Sequence, residues 1–242
     1  MIVVIMLMNK RILVTGANGF LGSNIIYELL ANNTPVTALV REKSKIDYLK
    51  SIKCYNIIET DNYLDPIVIR KLSMSRPEYI IHCAWTKNQL QDTKNLTSVL
   101  ELAKNINCKG FITIGSYQEY GILDKELSED TTCIPKNSFA RSKHAFYMLT
   151  KEICSSLDIK HIHLRLGVPY SNKKDSDFYF NDVIKLIYKD EFVVLKNIYD
   201  KQDYIHTSDV ARGIASLINN NLEGVYNLSF GQGVEIKSIL KM

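Results

Sequence analysis

The sequence predicts an α/β fold, a doubly wound parallel sheet with helices on both faces, and three observations carry that prediction. Short runs rich in β-branched residues alternate with helical patterns along the chain. Hydrophobic residues make up 46% of the 242, enough for a large buried core, and a glycine-rich turn separates the first strand pattern from the first helical one. No internal repeat or low-complexity linker interrupts the alternation.

The first strand is read over RILVT (11–15). In the helix that follows, Leu21, Ile25, Ile26, Leu29 and Leu30 recur at three and four residues, and Asn32-Asn33 marks its end. Further strands are PVTALV (35–40), CYNII (54–58), EYIIHCA (78–84), GFITIG (110–115) and HIHLRL (161–166). Asp65-Pro66 opens another helix, with Asp as the cap and Pro in the first turn. The start MIVVIMLMNKR is apolar but has no basic stretch before it and no small-residue cleavage site after it, so no export signal is expected and a start at Met8 is the plainer reading.

Composition narrows the function. Lys and Arg number 30 against 26 acids and are scattered along the chain, which argues against nucleic acid or a membrane surface as partner and for a small molecule. Cys54, Cys83, Cys108, Cys133 and Cys154 include no C-x-x-C, so neither a disulfide framework nor a zinc site is expected, and a cytoplasmic location fits.

The turn TGANGFLG (15–22) lies between the first strand and the first helix. Gly16 permits a tight turn, Gly19 lets backbone approach a pyrophosphate, and Gly22 allows close helix packing, while the helix N-terminus offers N–H groups to an anion. This is the arrangement of a Rossmann-type dinucleotide site, with Asn18, Phe20 and Leu21 completing the loop. At the end of the second strand no acid is present to hold the ribose hydroxyls of NAD. Arg41 stands there, where a guanidinium can pair with the 2′-phosphate of NADP, so NADP is the preferred cofactor and NAD the alternative.

T-G-x-x-G-x-x-G resembles the extended short-chain dehydrogenase/reductases, specifically the NAD(P)-dependent epimerase/dehydratase family acting on nucleotide sugars. Other segments are similar to that family in order: Asp61-Asn62 to its adenine contact, IHCAW (81–85), with Ala84, to the strand lining the cofactor, Asn95 to a helix asparagine, and IGSYQEYG (114–121) to its active-site serine strand. FARSK (139–143) resembles its Tyr-x-x-x-Lys helix, and DYIHTSDVARGI (203–214) with GVYNLSF (224–230) its substrate-domain signatures. The resemblance implies a dinucleotide-binding domain over 1–165 and a small, shortened substrate region over 166–242, of which about 198–221 returns to the first domain. It also implies helices over 88–105 and 137–157 that form a homodimer interface.

In the family's mechanism a tyrosine moves the proton, a lysine lowers its pKa and holds the nicotinamide ribose, and a serine orients the reacting oxygen. Ser116 and Lys143 fill the last two places, whereas Phe139 stands at the tyrosine's position and can neither donate nor accept a proton. Tyr117, Tyr120, His144 and Tyr147 are near matched positions and are read as packing or surface residues. His161 and His163 share a strand face, but no third ligand is suggested and no metal is expected. Ser116-Tyr117-Gln118 replaces the Thr-Asp-Glu of the family's dehydratases, which disfavours dehydration. Gln202 replaces an arginine that pairs with substrate phosphate, and the chain stops at KSILKM where relatives continue. Three readings stay open: a nucleotide-sugar 4-ketoreductase or 4-epimerase, a binding protein that has lost catalysis, and a truncated or substituted enzyme.

Overall fold

The computed structural model of the chain describes residues 10–123, 125–171 and 199–239. Residues 1–9, on which the reading of the start rests, lie outside that set, as does 172–198 within the expected substrate region.

Seven strands form one sheet: β1 (Ile12–Thr15), β2 (Val36–Val40), β3 (Ile57–Glu59), β4 (Tyr79–His82), β5 (Gly110–Ser116), β6 (Lys160–Leu166) and β9 (Gly224–Leu228). Their order is β3-β2-β1-β4-β5-β6-β9 and every neighbouring pair is parallel. The order reverses between β1 and β4, which opens a crevice at the carboxyl ends of those strands. A second sheet joins β7 (Val168–Tyr170), β8 (Lys201–His206) and β10 (Gly233–Glu235), with β8 in the middle.

The helices among the described residues are α1 (Phe20–Ala31), α2 (Asp47–Ser51), α3 (Pro66–Ser75), α4 (Gln89–Asn105), α5 (Ser138–Ser156), α6 (Thr207–Asn219) and α7 (Ile236–Ile239), and a 3₁₀ turn over Tyr117–Tyr120 follows β5. Their starts follow from local chemistry: Asp65 accepts from Ile67 N at 2.7 Å ahead of Pro66, and Asn88 caps α4 through Gln91 N. On one face of the sheet, Ile25, Ile26 and Leu29 of α1 and Val210, Ile214 and Ile218 of α6 pack on Ile12, Val14, Ile81, Ile112, Ile162 and Leu164. On the other, α3 and α4 cover Leu13, Leu39, Ile80 and Phe111. Helices on both faces explain why β1, β2 and β4 read as continuous apolar runs.

Two strands differ from their sequence readings. β3 begins at Ile57 and not at residue 54, because Cys54 still belongs to the turn closing α2, its N–H donating to Leu49 O at 2.9 Å. β4 ends at His82; Cys83 N donates once more to Thr15 O, and the chain then crosses over Gly16. No described helix is long and apolar enough to cross a membrane.

Candidate active site

The crevice beside β1 holds the glycine turn. Gly16 has φ +62°, and a Cβ there would meet Ala84 N at 2.6 Å, so only glycine lets this turn lie against the chain leaving β4. A Cβ on Gly22 would sit 2.4 Å from Gly16 O, which is why α1 can start so close to the loop. Gly19 caps α1 without any side-chain hydrogen bond, and a Cβ there would meet only Gly16 O within 4 Å. At the start of a helix this glycine cradle fits a dinucleotide's pyrophosphate. Beneath it Thr15 Oγ1 and His82 Nδ1 are 2.8 Å apart, and burial drops His82 to about 3, keeping it neutral.

Arg41 is exposed at the end of β2, and its charge reaches the half-buried Tyr63. Asp61 Oδ1 accepts from Glu42 N at 3.3 Å, joining the loops after β2 and β3, while Asn62 turns inward on itself through Thr60 and Leu64. Asn95 accepts from Gln91 within α4. The loop after β4 is pinned by the buried Asp92, whose Oδ1 accepts from both Thr86 N and Thr86 Oγ1 at 2.7 Å.

Ser116, the last residue of β5, is buried and starts the 3₁₀ turn. Its Oγ accepts from Gln118 N at 3.2 Å while Glu119 Oε1 accepts from Ser116 N at 2.9 Å, a reciprocal capping box. Asn137 ties the start of α5 to this turn, accepting from Ala140 N at 2.8 Å and donating to Gln118 Oε1 at 3.0 Å. One turn into α5, Lys143 Nζ donates to Ile114 O at 2.9 Å and lies 4.0 Å from the centroid of the Trp85 ring. Phe139 packs edge-on against Trp85 at 5.9 Å with its ring centroid 5.7 Å from Lys143 Nζ, and stays 38% exposed. Burial draws Lys143 down to about 8, against the opposing pull of Glu119, Cys83 and Asp92.

Behind Ser116 lies a buried polar network. His163 Nε2 is 3.0 Å from Glu119 Oε1, and Thr113 Oγ1 is 2.8 Å from both His163 Nδ1 and His161 Nε2. His144 Nδ1 lies 3.5 Å and Arg165 Nε 3.6 Å from Glu119 Oε2. Burial pushes Glu119 up, yet the bond and charge of His163, Ser116 N–H and Arg165 outweigh it and hold the carboxyl below its ordinary value. Gly115 leaves room for the contact, since a Cβ there would be 2.3 Å from both Glu119 Oε1 and His163 Nε2. Tyr147 packs its ring on His163 at 4.6 Å, Tyr117 donates to Gln202, and Tyr120 donates to Asn227 Oδ1 at 2.6 Å. A cleft of 520 Å³ opens beyond β6 and β9, bordered by Tyr117, Arg165, Asp203 and Asn227.

The profile of the NAD dependent epimerase/dehydratase family matches residues 12–229. The chain belongs to that family. It is 26% identical to the dTDP-4-dehydro-6-deoxyglucose reductase of Escherichia coli, over 95% of this chain and 79% of that one. It is 25% identical to the GDP-6-deoxy-D-talose 4-dehydrogenase of Aggregatibacter actinomycetemcomitans, over 96% and 78%. Among solved structures, UDP-glucose 4-epimerase of Thermus thermophilus in complex with NAD superposes with a TM-score of 0.80 at 24% identity, covering 96% of this chain and 81% of that one.

Within this family member the structure brings Gly16, Gly19, Gly22 and Ala84 together at one crevice and sets Ser116, Phe139 and Lys143 around Trp85 and the 3₁₀ turn. Sequence reasoning did not single out Glu119, Thr113 or Trp85. For Glu119 a signal existed, because Ser116-Tyr117-Gln118-Glu119 has the S-x-x-E spacing of a capping box. Trp85 meets Lys143 across 58 positions of sequence, which no local pattern marks.

Proposed function

We propose that the chain is an NAD(P)-dependent oxidoreductase of nucleotide sugars that reduces a 4-keto group of a deoxysugar nucleotide in surface polysaccharide biosynthesis. The observation that carries this reading is the grouping of Ser116 and Lys143 at the carboxyl end of β5, on the same sheet edge as the glycine cradle. The relatives named as a 4-keto-deoxysugar reductase and a 4-dehydrogenase support it over other chemistries of the family.

Gly16, Asn18, Gly19, Phe20, Leu21 and Gly22 would hold the pyrophosphate, Asp61 and Asn62 the adenine side, and Ala84 and Lys143 the nicotinamide riboside, which supplies the hydride. Arg41, exposed at the mouth of the β2 loop, supports NADP as the preferred cofactor. A charge-assisted contact is worth about 1.5–3 kcal/mol, a preference of roughly tenfold or more. The sugar nucleotide enters from the region 166–242, where Gln202 engages Tyr117 in place of a phosphate-binding arginine. Leu90 on α4 and Met148 on α5 are exposed apolar side chains that suit a homodimer through those helices, and a cytoplasmic enzyme accords with the thiols at Cys54, Cys83, Cys108, Cys133 and Cys154 being free.

A protein that binds without turnover is the second reading, and Phe139 favours it. The two are separated by following NADPH oxidation with CDP-, dTDP- and GDP-linked 4-keto-deoxysugars. Slow turnover by the native chain, raised about tenfold or more in Phe139→Tyr, is expected. No oxidation by either protein on any sugar contradicts the reductase reading.

A further inference from the structure

In a reductase of this kind the ketone oxygen must receive a proton, and position 139 carries a benzene ring. We propose that Lys143 Nζ is itself the proton donor, with Trp85 and Phe139 forming the aromatic wall that holds its ammonium beside the reacting carbonyl. The proposal rests on the reductase reading and adds a catalytic acid to it.

Among the described residues near Phe139, geometry removes the other carriers one by one. The Tyr117 hydroxyl is committed to Gln202 and the Tyr120 hydroxyl to Asn227, and burial raises both phenols. Tyr147 faces away toward β6, its ring on His163 and His161. His163 is held between Glu119 and Thr113, and His144 Nδ1 is buried 3.5 Å from Glu119 Oε2 with no hydrogen bond among the described residues. Ser116 Oγ accepts from Gln118 N, and a serine hydroxyl orients an oxygen without being an acid near neutral pH. Burial lifts the Cys83 thiol to about 12.

Lys143 remains. An ammonium carries three N–H donors; one goes to Ile114 O, and Nζ lies 4.0 Å from the Trp85 ring centroid and 5.7 Å from that of Phe139, which is 38% exposed. The charged and titratable groups facing it are Glu119 from the 3₁₀ turn, His82 and Cys83 from the end of β4, Asp92 from α4 and His163 from β6. Burial outweighs the acids among them, so the ammonium sits at about 8 and can release a proton near neutral pH. The step balances. The carbonyl carbon accepts a hydride from the reduced nicotinamide, the C=O π pair moves onto oxygen, and that oxygen takes the proton from Nζ, leaving a neutral amine that regains a proton from water.

The test uses the full chain. Trp85 is the single tryptophan, so its fluorescence without cofactor reports the charge above its ring. Emission should change with a midpoint near pH 8, and the step should vanish in Lys143→Met; a wild-type curve flat from about pH 6.5 to 9.5 overturns the proposal. In turnover at saturating NADPH, Lys143→Arg keeps a cation on Trp85 but releases no proton, so the rate should fall roughly 10²–10⁴-fold. Adding Phe139→Tyr to that variant should recover at least about tenfold. If Lys143→Arg stays within about threefold of wild type, Lys143 is not the acid. If only Phe139→Tyr reduces sugars and the native chain does not, the reductase site stands and this proposal falls; if neither does, both fall.

Discussion

Strand β6 has two faces of opposite character. Ile162, Leu164 and Leu166 point into the core shared with α1 and α6, while His161, His163 and Arg165, the residues between them, point under α5 into the network around Glu119. The apolar face is held by burial, which is tolerant of detail. The polar face is held by directed bonds, each of which leaves a buried group unpaired when lost. It also carries the 3₁₀ turn, so the backbone of Ser116 is fixed by the side of the strand that costs more to bury.

The polar face is most vulnerable at Glu119. Glu119→Ala leaves Ser116 N–H, His163 Nε2 and the Arg165 cation without their shared carboxylate, and a loss of about 3–5 kcal/mol is expected in urea unfolding. A loss under about 1 kcal/mol would mean that the turn is held by something else.

Acid should attack the same face next. Burial holds His82 and His161 at about 3, so between their unfolded value of 6.5 and 3 the unfolded chain binds protons that the folded chain refuses. The stability from keeping them neutral is complete above about 6.5 and is lost as pH falls, by about 1.4 kcal/mol per unit for the fully buried His82 and less for His161. Urea midpoints that stay constant from about pH 7 to 4.5 would contradict this.

Thr113→Val keeps the shape but removes the hydroxyl between the two histidines, with an expected cost of about 1–3 kcal/mol. On the opposite face Ile162→Val should cost only about 0.5–1.5 kcal/mol and leave the pH dependence unchanged. Equal costs at the two sites would erase the contrast between the faces.

The two faces were also unequally legible. Alternating Ile162, Leu164 and Leu166 announce a core-facing strand by period alone, and TGANGFLG announces its turn because glycine spacing reflects local backbone needs. The partners of His161 and His163 lie about 50 positions earlier in Thr113 and 44 earlier in Glu119, so the histidines read only as a pair on one face with no third ligand. Side-chain bonds between parallel strands depend on register, and register follows from the whole sheet. The Lys143–Trp85 contact was hidden for the same reason, whereas Phe139 was visible at once because the Tyr-x-x-x-Lys spacing is local.

Hydride transfer to a sugar ketone in this crevice, the proposed function, is tested most directly by isotope transfer. NADPH carrying deuterium at both hydrogens of nicotinamide C4 would be incubated with a 4-keto-deoxysugar nucleotide and Phe139→Tyr protein, and the sugar product examined by mass spectrometry and NMR. One deuterium is expected at the former carbonyl carbon for each NADPH consumed. A product epimerised without net NADPH consumption, or NADPH and sugar both recovered unchanged, would contradict it.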